Sequence, residues 1–180
     1  MFRSLALLTA AALAPLALMA PTQAAAGRSA SVSDPKGDVR VLASPKGAPV
    51  KSVDIRRFTV EKKQAGMTYG IRVKHLRSSS QEGRRSRYHQ VFMVETRFAG
   101  GGVATVAFAK GFRPHVYQGD SSRLCGQAVV NLDHTTDTAW IYVPNRCLGD
   151  APVSARGGAL LEGHSGADLS VDRTRSLPLS

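Results

Sequence analysis

The chain has 180 residues, with 24 Lys and Arg against 13 Asp and Glu, for a formal net charge of +11. That length suits one domain rather than two and is enough to bury a core without help from metals. The basic balance favours anionic partners through long-range attraction, or simply reflects a solvated Arg-rich surface, and it does not select a fold.

Met1, Phe2 and Arg3 form a short basic start, and Leu5 to Ala20 is almost wholly apolar. Pro21 ends that run, and Ala24 and Ala26 are small residues of the kind a signal peptidase accepts for a cut before Gly27, with a cut after Ala24 as the alternative. The run is too short for a comfortable membrane span, no Cys follows it to take a lipid anchor, and no apolar stretch near Ser180 resembles a sorting tail. Residues 1–26 are therefore read as a secretory signal peptide and the remainder as a secreted, extracellular, monomeric protein with no membrane span. Cys125 and Cys147 are the two cysteines. In an oxidising compartment an even pair reads as a disulfide, and neither Cys has a His or carboxylate at ligand spacing.

Residues 27–50, rich in Ser, Pro, Gly and Lys, read as an extended leader. Within it, Asp34-Pro35-Lys36-Gly37-Asp38 sets two carboxylates around a Pro and a Gly, and Asp54 follows at the start of the next apolar segment. Three carboxylates aimed at one point suit a hard cation such as Ca²⁺. The competing reading is an Asx-type turn whose Asp side chains cap backbone amides. Beyond that one ion no cofactor is expected.

From Val53 the pattern has period two. Val53 to Glu61 predicts a strand with a step in its alternation between Ile55 and Phe58, as at a bulge. Met67, Tyr69, Ile71 and Val73 alternate with polar or small residues, the pattern of a half-buried antiparallel strand. Tyr88 to Phe98 is apolar on both faces at its centre and reads as a central strand. Val103 to Ala109, Phe112 to Gln118, Gly126 to Asp133, Asp137 to Val143 and Pro152 to Leu161 complete the series, with a single helical turn at Pro144 to Leu148. Gly100-Gly101-Gly102 and Lys110-Gly111 are turn chemistry between strands. Strands at this spacing predict an all-β chain, a single antiparallel β-sandwich over residues 51–165 or, as the alternative, a closed barrel. Residues 166–180 read as a flexible C-terminal tail.

Three further features bear on function. Arg72, Lys74, His75, Arg77, Arg84, Arg85, Arg87 and His89 form a basic cluster around Ser78 to Gly83, read as a hairpin loop. Arg forks at such a tip grip phosphate or carboxylate, whereas a solvated loop opposing edge-to-edge aggregation is the plainer reading. Tyr88 is its one aromatic, so nucleic-acid stacking is not expected. Trp140 and Tyr142 share a strand face opposite Ala139, Ile141 and Val143. If the aliphatic face is core, the aromatic pair faces out and can stack on sugar rings; if not, Trp140 is a core anchor near the disulfide. Gly163-His164-Ser165-Gly166-Ala167 approaches a nucleophile elbow but has Ala167 where a Gly belongs and no downstream His. The five His are scattered without metalloprotease spacing, and no enzyme is expected.

The order Asp34-Pro35-x-Gly37-Asp38, then Asp54-Ile55, then Cys125 and Val143-Pro144-x-x-Cys147-Leu148-Gly149 resembles an uncharacterised family of secreted actinobacterial proteins, similar in outline to DOMON-like and family-9 carbohydrate-binding modules. Over about Ser31 to Leu161 the resemblance implies a jelly-roll-like sandwich closed by a Cys125–Cys147 bridge. Together with the absence of a catalytic motif, the residues read as a secreted, non-catalytic module that associates with the cell envelope or an extracellular polymer such as a polysaccharide. Two binding surfaces follow: Trp140 with Tyr142 for carbohydrate, and Arg72, Arg77, Arg84, Arg85 and Arg87 for an anionic cell-wall polymer.

Overall fold

A computed structural model of the protein describes residues 28–78, 87–149 and 151–179. The proposed signal peptide and the basic residues Arg84 and Arg85 lie outside them. In chain order the strands are β1 (Ser29–Ser33), β2 (Arg40–Val41), β3 (Ile55–Lys63), β4 (Gly66–Val73), β5 (Tyr88–Phe98), β6 (Val103–Ala109) and β7 (His115–Gln118). There follow β8 (Ser121–Leu124), β9 (Val129–Asp133), β10 (Thr138–Pro144), one helical turn α1 (Asn145–Leu148), β11 (Pro152–Gly163), β12 (Asp168–Arg173) and β13 (Leu177–Pro178).

These strands form two antiparallel sheets packed face to face. The smaller has the order β1-β3-β4-β10-β9; the larger runs β2-β12-β11-β5-β6-β7-β8, with β13 also on β11. The all-β sandwich expected from the alternation is what the chain forms. Alternate positions face the core: Phe58 and Val60 on β3, Tyr69 and Ile71 on β4, Phe92 and Val94 on β5, Val106 and Phe108 on β6, and Ile141 and Val143 on β10 are all buried, and on β4 these are the apolar positions of the expected alternation. Gly157 on β11 lets the sheets approach, because a Cβ there would stand 2.7 Å from a ring carbon of Phe58. The step in β3 is a register shift between Ile55 and Arg57, close to where the sequence placed a bulge.

The disulfide is present, Cys125 to Cys147 with Cα atoms 5.8 Å apart, tying the segment after β8 to α1. No helix among the described residues is long and apolar enough to cross a membrane.

Several elements differ from expectation. The leader contributes β1, which pairs with β3, and β2, which pairs with β12, so it crosses from one sheet edge to the other. The C-terminal segment contributes β12, paired with β11 from Gly158 to Glu162. β12 was hidden because its inward positions are partly polar: Ser170 is buried with its hydroxyl donating to the Val50 carbonyl at 2.7 Å, and Asp172 is buried as well. Lastly, β4 and β5 belong to different sheets, so the basic segment between them is a sheet-to-sheet crossing and not a hairpin. Both edges of each strand are already taken, β4 by β3 and β10, β5 by β11 and β6.

Candidate functional site

The outer face of the larger sheet carries a groove, and strand register builds it. On β5 the side chains of Gln90, Phe92 and Val94 point into the core, so His89, Val91, Met93 and Glu95 point out. Opposite them on β11 stand Glu162 beside His89, Leu160 beside Val91 and Arg156 beside Glu95. On the other flank β6 places Ala109 beside Val91, Ala107 beside Met93 and Thr105 beside Glu95. Next to those, β7 sets His115 beside Ala107 and Tyr117 beside Thr105. Small residues along β6 between larger ones on β5 and β7 leave a trough of about 660 Å³.

Its walls mix flat rings with hydrogen-bonding groups. Phe112, in the β6–β7 turn, is 64% exposed and Tyr117 is 44% exposed. The Phe112 ring meets the His89 imidazole edge-on at 6.3 Å, and His115 stacks near-parallel to Tyr117 at 6.1 Å. Arg113, Glu162 and His164 supply the polar contacts. The Gly163 to Ala167 segment is the tight turn between β11 and β12, closed by Gly163 N–H donating to the Ala167 carbonyl at 2.8 Å. A strand–turn–strand setting is not that of a nucleophile elbow, and the segment serves instead as one wall of the groove.

The outer face of the smaller sheet holds Trp140 and Tyr142. Ala139, Ile141 and Val143 are the buried partners on β10, so the aromatic pair faces outward and Trp140 is not a core anchor. Both rings lie down on the sheet. Trp140 covers Gly70 on β4, where a Cβ would stand 2.5 Å from the ring, and Tyr142 covers Gly66. Each is half-buried, presenting one ring face on a flat surface beside Asn131 and Val129 of β9.

The basic residues do not converge as one tip. Arg72 is exposed on β4, directly across from Arg57 on β3, whereas Arg87 precedes β5 in the other sheet. Arg77 is half-buried in the crossing, its N–H donating to the Gln90 side-chain carbonyl at 2.9 Å. Gln90 is fully buried and its amide also donates to the His75 carbonyl at 2.8 Å, so the first residues of the crossing are pinned. Arg72 instead lines a hollow of about 460 Å³ with Lys36, Arg56 and Lys74, and with Asp137 on its rim. His75 lies 3.8 Å from Asp137, while His89 sits in the groove of the other sheet.

At the edge where the leader crosses between sheets, Asp34, Asp38 and Asp172 bring carboxylate oxygens within 4.8 Å of one another. Asp54, named from the sequence as the third ligand, has another task. Both of its oxygens accept from Gly37 N–H at 3.2 Å, and one pairs with Arg56 at 2.9 Å. Asp172 is the residue that sequence reasoning missed. It accepts from Ile55 N–H at 2.7 Å, at the residue where the β3 register shift begins.

Comparison with protein-family models, curated proteins and solved structures finds no match to the chain.

Proposed function

We propose that the chain is a secreted, non-catalytic module that binds an extracellular polysaccharide of the cell envelope in the groove of the larger sheet. The observation that carries this reading is the exposure of Phe112 and Tyr117 on either side of His89 and His115, next to Glu162 and Arg113. Flat rings stack on the apolar faces of sugars while neighbouring polar groups take the hydroxyls, and a trough of about 660 Å³ is the size of an ordinary ligand site. Among the described residues Glu162 is the carboxylate in the groove's lining, Glu95 lying further along β5 in an ion pair with Arg156, whereas glycosidic hydrolysis ordinarily uses two facing carboxylates. Trp140 and Tyr142 add a second stacking surface on the opposite face, but two rings lying flat on a sheet offer fewer contacts than the groove.

Co-sedimentation with insoluble glycans and purified cell wall, at about 50 mM and about 500 mM salt, tests the reading. Retention at both salts, lost in Tyr117→Ala and kept in Trp140→Ala, supports the groove. Loss in Trp140→Ala alone moves the site to the smaller sheet. Retention only at low salt favours a second reading, an anionic polymer held by Arg72, Arg56, Lys36 and Lys74, whose hollow concentrates positive charge.

A further inference from the structure

We propose that Asp34, Asp38 and Asp172 form a binding site for a hard divalent cation, Ca²⁺, which fastens the N-terminal strand segment across both sheets. The site uses no residue of the groove and stands whether or not the chain binds glycan.

Two independent observations point to a ligand. Three carboxylate oxygens converge within 4.8 Å, a spread that suits Ca²⁺ with its oxygen ligands at about 2.3–2.6 Å. In addition, Asp34 is only 9% exposed, and its Oδ2 is shielded from solvent without any hydrogen-bond partner. A buried carboxylate oxygen left unpaired beside two like charges is costly unless something cationic meets it. Arg56 does not, since it is turned to Asp54.

Charge agrees with the valence. Four aspartates face two guanidinium groups, Arg56 and Arg175, leaving a local excess of two negative charges in a chain whose net charge is +11. The surroundings also shape the loop for a ligand. Gly37 adopts φ of +84°, a conformation that favours glycine, and its N–H is held by Asp54, which folds Asp34 and Asp38 toward each other. Asp54 is thus a positioning residue. Asp34 follows β1 at the edge of the smaller sheet, and Asp172 lies on β12 in the larger, so one ion bridges both. Mg²⁺ fits less well, because it requires near-ideal octahedral geometry and gives up its waters reluctantly.

The test is calorimetric titration of the EDTA-stripped full protein with CaCl₂, alongside thermal melts with and without about 1 mM CaCl₂. The expected result is one Ca²⁺ per chain and, at about a hundredfold excess over Kd, a rise in Tm of about 5–10 °C. Asp38→Asn should weaken binding at least about tenfold while melting no lower than the parent in EDTA, because it removes a like charge. This variant separates ligation from folding; Asp172→Asn also loses the bond to Ile55 and is expected to be less stable. Absence of both heat and Tm shift at about 5 mM CaCl₂, or parental affinity in Asp38→Asn, overturns the site. An equal response to Mg²⁺ overturns the assignment to Ca²⁺.

Discussion

Gly70→Ala probes how Trp140 is held. A Cβ at residue 70 would lie 2.5 Å from Cζ3 and 2.7 Å from Cε3 and Cη2 of the Trp140 ring, against ordinary carbon contacts of about 3.5–4.0 Å. The ring must therefore lift by about 1 Å or more, or swing off the sheet. Lifting it uncovers on the order of 50–100 Å² of apolar surface, worth about 1–2.5 kcal/mol at about 25 cal/mol/Å². Replacing Gly in a strand returns about 0.5–1 kcal/mol by restricting the unfolded chain. The net is a loss of about 1 kcal/mol, or about 2–4 °C in Tm. Trp140 is the only Trp in the chain, so its emission reports the displacement without labelling. The maximum should shift to the red as the ring meets water. An unchanged spectrum with an unchanged Tm would refute the flat packing of Trp140 on Gly70.

Tyr69 is fully buried, its hydroxyl has no hydrogen-bond partner, and burial pushes its pKa up. Tyr69→Phe should therefore stabilise the protein by about 1 kcal/mol in chemical denaturation, and a loss of that size would contradict the orphaned hydroxyl. Reducing Cys125–Cys147, which are separated by 22 residues in the chain, should lower stability by about 3 kcal/mol and Tm by about 6–12 °C in a reductant-matched melt. In chelator, pH acts through Asp34, raised in the folded protein from 3.8 to about 6, and through Asp172, raised as well. Groups that bind protons more tightly when folded contribute most below the unfolded pKa, and that contribution fades as pH climbs through the folded value. The metal-free protein should thus lose about 1 kcal/mol, after allowance for solvent screening, between pH 5 and pH 7.5. Stability rising over that interval in chelator would contradict the assignment.

Much of the sandwich was legible because its strands bury one face with apolar side chains. Met67, Tyr69, Ile71 and Val73 announce β4, and the broken alternation at Ile55 announces the β3 bulge. Strands without that contrast were missed. All four residues of β8 are exposed, and β12 faces inward through Ser170 and Asp172 as well as Leu169. The acidic site was half visible. Asp34 and Asp38 share a short loop, but Asp172 reaches it only through sheet pairing, its partner Ile55 being 117 residues away in the chain. The groove was not visible at all. It arises from which residue of β5 stands beside which residue of β6 and β11, and that register is a property of the folded sheets. One signal was available: Phe112 beside Gly111 puts a large ring in a turn, where no core can take it.

Glycan binding in the groove is tested by co-sedimenting the Tyr117→Ala and Phe112→Ala variants with purified cell wall and insoluble glycans at about 500 mM salt, against the parent. Both residues are exposed, so truncation should leave Tm nearly unchanged. The parent should be retained and each variant largely released. Equal retention of parent and variants, or no retention of the parent in any glycan, would contradict it.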